Sequence, residues 1–214
     1  LPYDFYFTVG GSANYLNYLM QRTFPSMNVQ TRNLKPGFFP RVALLKKFYE
    51  SFSAYVTVSD GFSAPAFAEV LTNTGLYNSD LNPERGTNFE GGLKGAFLKG
   101  VLRGEVALYD FRLKDAIVNV SGGDDYQNAG ETSQKGVELN ASWSPTISAT
   151  TLRLWGAYSY NNYYFVDYVR EGNDYSGNEL TGVPRQVFVG GLDARFNKGW
   201  YINTTFNYTD QLPL

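Results

Sequence analysis

Alternation with a period of two runs through most of the chain, and it is clearest on either side of a long polar interval. In 51–59, Phe52, Ala54, Val56 and Val58 share one face, while Ser51, Ser53, Tyr55, Thr57 and Ser59 share the other. In 88–97, Phe89, Leu93 and Phe97 fall on one face with Gly91 and Gly95, opposite Asn88, Glu90 and Lys94. Side chains that alternate in this way predict strands with one apolar and one wet face. The interval between them, Gly61 to Gly86, is rich in Pro, Asn and Gly and far exceeds a tight hairpin; loops of that length are usually functional or disordered. A short helix is expected inside it, between Pro65 and Leu71.

The rest of the chain repeats the pattern. A first strand is predicted over 5–15, a loop over 22–38 and a short strand over Arg41–Leu45, with Lys46–Glu50 as the connection to the next run. In 101–120 the polar positions change phase, from Arg103 and Glu105 to Asp110, Arg112 and Lys114, which predicts a β-bulge. Val137, Leu139, Ala141 and Trp143 alternate next, then Leu152, Leu154, Tyr158, Tyr160 and Tyr164, then Phe188, Leu192, Ala194 and Phe196, and finally Trp200, Ile202, Phe206 and Tyr208. That makes nine predicted strands, joined by connections that alternate long and short. The fold class expected is all-β, an antiparallel up-and-down transmembrane β-barrel, because short turns at one rim and long loops at the other characterise such barrels. Strands of about ten residues, tilted by about 45°, rise about 23 Å, close to the outer-membrane apolar band.

Composition narrows the chemistry. The 214 residues hold neither Cys nor His, which removes thiolate chemistry, disulfides, the commonest metal ligand and the commonest general base. A formal net charge of −2 leaves no electrostatic footprint for nucleic acid. Seventeen Tyr and sixteen Phe suit strands and the aromatic girdles of membrane barrels. No run of about 18 apolar residues marks a transmembrane helix. An aromatic-rich soluble β-sandwich, for instance a lectin, is the competing architecture; it predicts solubility without detergent.

Phe62-Ser63-Ala64-Pro65, Asn78 to Arg85, Asn88-Phe89-Glu90-Gly91-Gly92-Leu93-Lys94-Gly95, Tyr109 to Val118, Asn128 to Thr132, Gly136-Val137-Glu138-Leu139 and Gly182-Val183-Pro184-Arg185 are segments of recognisable order and spacing. Together they resemble the barrel of TonB-dependent outer-membrane receptors. Ser63 stands where the family's first box usually has Arg. The resemblance covers about residue 38 to the end. It implies a barrel of 22 strands with an N-terminal plug, of which residues 1–214 would supply a partial barrel of about nine, strands 11 to 19. An open sheet in lipid leaves about five unpaired backbone groups per edge, tens of kcal/mol in total and more than a domain's stability, so further strands are expected.

The function the resemblance implies is import of a scarce nutrient, a ferric siderophore complex foremost, energised by TonB through an N-terminal region. The alternatives are another cargo (glycan or cobalamin) and a passive porin-like barrel. Haem is disfavoured because the family's haem receptors usually carry a His between the two loop boxes. Ligand contacts are expected on outward loops, at Arg22, Arg32, Tyr77, Arg85, Tyr126, Tyr163, Tyr168, Arg170 and Tyr175, since ferric chelates are commonly anionic and aromatic. Lipopolysaccharide and membrane lipid are the other expected partners, and no cofactor is implied. Glu105, Glu138 and Asp193 on wet faces are read as lumen charges paired with neighbours such as Arg103, Arg153 or Arg195 rather than as catalytic carboxylates, and Asp124-Asp125 as a solvated loop rather than a metal site.

Overall fold

Nine long strands organise the computed structural model, which describes residues 4–24, 26–71, 77–119, 126–170 and 172–213. They are β1 (Phe5–Asn14), β2 (Gly37–Tyr49), β3 (Phe52–Ser63), β4 (Glu84–Phe97), β5 (Leu102–Lys114), β6 (Glu131–Trp143), β7 (Thr150–Asp167), β8 (Gln186–Arg195) and β9 (Tyr201–Thr209). Each pairs antiparallel with the next, so the sheet is an up-and-down meander with β1 and β9 at its open edges. The connections at one rim are short, such as Leu98–Gly100 and Asn197–Gly199, where Gly100 (φ 85°) and Gly199 (φ 84°) take the left-handed conformation that closes the turn. Those at the other rim are the four long loops.

Register sorts the side chains into rows across the sheet. One face carries Leu93, Val106, Leu139, Tyr158 and Phe188 as directly opposed neighbours on β4 to β8. Four residues towards the short-turn rim, Phe97, Leu102, Trp143, Leu154 and Leu192 form a second apolar row. Between them lies a row of small residues, Gly95, Gly104, Ala141, Gly156 and Gly190, ended by Phe52 and Phe206. Large apolar side chains on this face stay exposed, Val56, Phe89, Leu108 and Phe206 among them, so the sheet buries them against nothing of its own. Aromatics gather at both rims of the band, with Phe97, Trp143 and Trp200 at one and Phe89, Tyr160 and Tyr208 at the other. That is the double girdle of a barrel wall facing lipid.

The opposite face is polar and lines the lumen. Tyr55 Oη donates to Glu90 (2.8 Å), and Lys94 pairs with Glu105 (2.7 Å) while lying 5.0 Å from the centroid of the Tyr55 ring. The partner of Glu105 is thus a neighbouring cation on the lumen face, Lys94, rather than one of the arginines given as examples; Asp193 is bonded to Asn203. At Gly136 the Tyr109 ring crosses the strand so closely that an added Cβ would lie 2.6 Å from the Tyr160 carbonyl oxygen. Only glycine fits there.

Two expectations change. The loop over 22–38 contains a strand, Asn28–Asn33, paired with Asn17–Arg22, and β2 runs from Gly37 to Tyr49 rather than over five residues. Pro40 is tolerated because it pairs with Gly11 on β1 before the ladder to β3 begins at Arg41. Lys46 looked like a connection, yet it sits on the apolar face with its ammonium 4.9 Å and 4.8 Å from the Phe5 and Phe48 ring centroids.

The second change concerns the phase slip in β5. No bulge is present: register to both β4 and β6 is constant from Leu102 to Lys114. The polarity reverses instead. Beyond Leu108 the outward side chains Asp110, Arg112 and Lys114 leave the apolar band, and Asp110 and Arg112 meet charges on β6, Lys135 at 3.1 Å from Asp110 and Glu131 at 3.4 Å from Arg112. The inward Phe111 and Leu113 turn under the loops. Register does shift elsewhere, between Glu131 and Thr132 against β7 and between Lys47 and Tyr49 against β3.

With the protein in lipid bilayers, Leu139→Lys is expected to destabilise the sheet by about 2–4 kcal/mol, against about 1 or less for Asn140→Lys on the lumen face. Denaturant unfolding in lipid bilayers measures both, and equal costs would reject this assignment of faces.

Candidate ligand-binding site beneath the outer loops

Water-excluded apolar packing in this protein lies mainly in the long loops. Leu34, Val70, Leu81, Ala116, Ala129, Phe165 and Tyr168 are buried, whereas the sheet's apolar face is open. In the first outer loop the Asn17–Arg22 and Asn28–Asn33 hairpin covers one face and exposes Leu19 and Val29 on the other. Its covered face holds onto the second loop: Tyr18 Oη donates to Pro65 O (2.7 Å), and Arg32 Nη1 donates to Leu81 O (2.7 Å). Burial, with smaller contributions from Tyr77 and Glu69, pushes the Tyr18 phenol above its ordinary pKa against the opposing pull of Arg32. The expected short helix is present as α1 (Phe67–Val70), with Glu69 accepting the Ala66 N–H (2.6 Å) at its start.

The third and fourth loops pack on each other. Ala116 and Ala129, joined by a 2.6 Å backbone bond, lie against Phe165 and Tyr168, with Leu113, Val118 and Leu180 around them. The rings of Phe165 and Tyr168 are 4.6 Å apart, and Tyr175 follows 5.7 Å beyond. Beneath this packing, on the lumen side of the upper strands, is a cavity of about 660 Å³. Its apolar lining is Leu113, Ala116, Val118, Phe165 and Leu180; Tyr168, Arg170, Tyr175, Glu84, Gln134, Asn178 and Glu179 supply polar groups. Glu179 is paired with Arg185, and Glu84 accepts the Ile117 N–H (2.9 Å).

Of the residues expected to contact ligand, Tyr168, Arg170 and Tyr175 converge on this cavity. Tyr163 lies deeper in the lumen, its hydroxyl 2.6 Å from that of Tyr109, which also donates to Asn161 (3.1 Å). Arg32 is committed to the second loop, and Tyr126 offers its carbonyl to Asn78 (3.0 Å). Tyr77 Oη and Arg22 Nε are buried with no hydrogen-bond partner among the described residues, although an Arg22 Nη reaches Ser26 (3.4 Å). Arg85 is exposed on the outer wall, directly opposite Lys114. Asp124-Asp125 lies outside the described residues. Phe165, Asn178 and Glu84 were not singled out in the sequence. Phe165 gave no signal because plain alternation puts it on the wet face with Tyr163, where an apolar ring looks like an isolated exception; the register shift beside Thr132 moves Asp167, not Phe165, out of phase.

A sheet with a lipid-facing apolar band between two girdles, a charged inner face and long loops at one rim is the wall of an outer-membrane type of transmembrane β-barrel. The chain belongs to the TonB dependent receptor-like β-barrel family, whose profile matches residues 3–212. It is therefore a bacterial outer-membrane protein of a receptor family rather than an enzyme. Among solved structures it is similar to the siderophore receptor PiuA from Acinetobacter baumannii (TM-score 0.73, 18% identity, 97% of this chain and 31% of that one). It is also similar to the ferric citrate transporter FecA in its unliganded form (0.75, 16%, 96% and 30%) and to the copper transporter OprC (0.72, 14%, 98% and 32%). At these identities the likeness is one of fold. The chain spans about a third of the length of these structures.

The hairpin's grip on the second loop depends on a neutral Tyr18, which is the donor to Pro65. Because the folded pKa is raised, this contribution is complete below tyrosine's ordinary pKa of about 10 and is lost as pH rises through the elevated value. Limited proteolysis of the hairpin is expected to accelerate only above that range. Tyr18→Phe should be cut faster at neutral pH and show no such step.

Proposed function

We propose that this chain forms part of the wall and outer vestibule of a receptor that imports a ferric siderophore complex across the outer membrane, energised through TonB. The observation carrying the reading is the cavity beneath the third and fourth loops, where Tyr168, Tyr175 and Arg170 join an apolar lining on the lumen side. Stacked phenol rings and a guanidinium suit a chelate with aromatic and anionic groups. The similar structures include a siderophore receptor, a ferric citrate transporter and a copper transporter, which supports a metal-bearing ligand. Tight capture implies slow release, so an outside energy source must open the site. On this reading the open edges at β1 and β9 join further strands, a plug fills the lumen, and an N-terminal segment engages TonB. Arg85 and Lys114, on the outer wall just above the apolar band, face lipopolysaccharide headgroups.

The test is binding of ferric hydroxamate, catecholate and citrate chelates to the complete receptor in detergent, followed by fluorescence quenching. One chelate class should bind, and Tyr168→Ala or Tyr175→Ala should weaken it about 10–100-fold, with Lys198→Ala at the opposite rim unchanged. Binding of cobalamin or a glycan in place of every iron chelate would replace the cargo; ion conductance with no ligand would favour the passive channel.

A further inference from the structure

Four tethers converge on residues 78–84, at the end of the second outer loop. Asn78 Nδ2 donates to Tyr126 O of the third loop (3.0 Å). On the other side, Leu81, 1% exposed, accepts Arg32 Nη1 of the first loop through its carbonyl (2.7 Å). Asn82 gives both of its backbone groups to one side chain: its N–H donates to Asn128 Oδ1 (2.7 Å), and its carbonyl accepts from Asn128 Nδ2 (2.9 Å). The same Nδ2 also donates to Asp115 O (2.6 Å). Glu84 holds the Ile117 N–H. The amide of Asn128 thus does for two loops what a neighbouring strand does inside the sheet, and its donor and acceptor sides are both used.

We propose that residues 78–84 are a strut linking the first and third outer loops, and that Asn128 is the positioning residue that holds the Ala116–Val118 wall of the cavity against it. The segment is gripped from both sides by bonds to its own backbone and is anchored by a buried leucine. A displacement imposed on one side therefore has few ways to relax before reaching the other. The side chain must be an amide. Alanine leaves the Asn82 N–H and carbonyl and the Asp115 carbonyl without this partner, and aspartate sets carboxylate oxygens against two carbonyls. The proposal concerns loop coupling and stands whatever the cargo proves to be.

Amide hydrogen exchange on the complete, ligand-free receptor in bilayer discs tests it with Asn128→Ala, Arg32→Lys and the double variant. Asn128→Ala is expected to speed exchange at Asn82 and Ile117 about tenfold and, remotely, at the hairpin amides 28–34 by several-fold; amides in the middle of β6 and β7 stay unchanged. Arg32→Lys should act in reverse, speeding Ile117. The double variant should fall short of the product of the two single effects. Effects of Asn128→Ala confined to the third loop and Asn82, or a double variant equal to that product, would overturn the strut. General loosening of β6 and β7 would assign Asn128 to stability alone. Should Asn128→Ala fail to insert, the response of Ile117 to Arg32→Lys decides by itself.

Discussion

Sideways pairing of the backbone is the constraint on which everything else in this protein rests. In hydrocarbon no water is available for an unpaired N–H or C=O, so each strand must satisfy its neighbours in full. Nine strands pair side by side, and within the apolar band the register is constant from β3 to β8. With the backbone settled by the ladder, side chains need not interlock to hold the sheet together. That is why a row of Gly95, Gly104, Ala141, Gly156 and Gly190 is tolerated in the middle of the wall, where a soluble core would be left hollow. The Phe97 and Phe188 rings lean over three of these glycines, covering part of the exposed backbone.

The same solvent boundary divides the molecule into two kinds of structure. Below it the membrane is the apolar partner, and Val56, Leu108 and Phe206 are open to it. Above it water returns, the outward face of β5 becomes charged, and the protein has to build its own interior. It does so with small apolar clusters, Ala116 and Ala129 against Phe165 and Tyr168, and with side chains that bond to the backbone of another loop. The loops therefore form a connected roof whose order comes from a few polar contacts, and the candidate site lies where that roof meets the upper lumen. Such contacts are individually weak. A roof of this kind can hold a defined cavity and still be opened by a ligand of modest differential affinity.

How much of this was legible follows from what a period of two encodes. Faces such as Phe52, Ala54, Val56 and Val58, or Leu152, Leu154 and Tyr158, were read from alternation alone, as were nine strands and the division into long and short connections. Motifs such as Asn88 to Gly95 carried the family, and α1 fell inside the interval where it was expected. Alternation misled wherever local polarity no longer reported on depth. Charges on Asp110 and Arg112 imitated a bulge because a strand crossing out of the bilayer exchanges its wet and dry faces without gaining a residue. Lys46 imitated a turn because two aromatic rings shelter its charge on the apolar face.

The candidate site was only partly in the sequence. Arg and Tyr on outward loops were visible as a set, but their positions gave no means of choosing Tyr168, Arg170 and Tyr175 over Arg32, which is spent on Leu81, or Arg85, which looks out from the wall. Residues that meet across loops are separated by dozens of positions with no shared period, as Asn82 and Asn128 are, so nothing local marks the pair. By itself the sequence determined the nine long strands, their two faces within the apolar band and the rim that carries the long loops, because hydrophobic alternation is a local property of each segment. Tertiary structure alone decided which side chains converge beneath the loops, because that depends on how pairing in the sheet sets one loop beside the next.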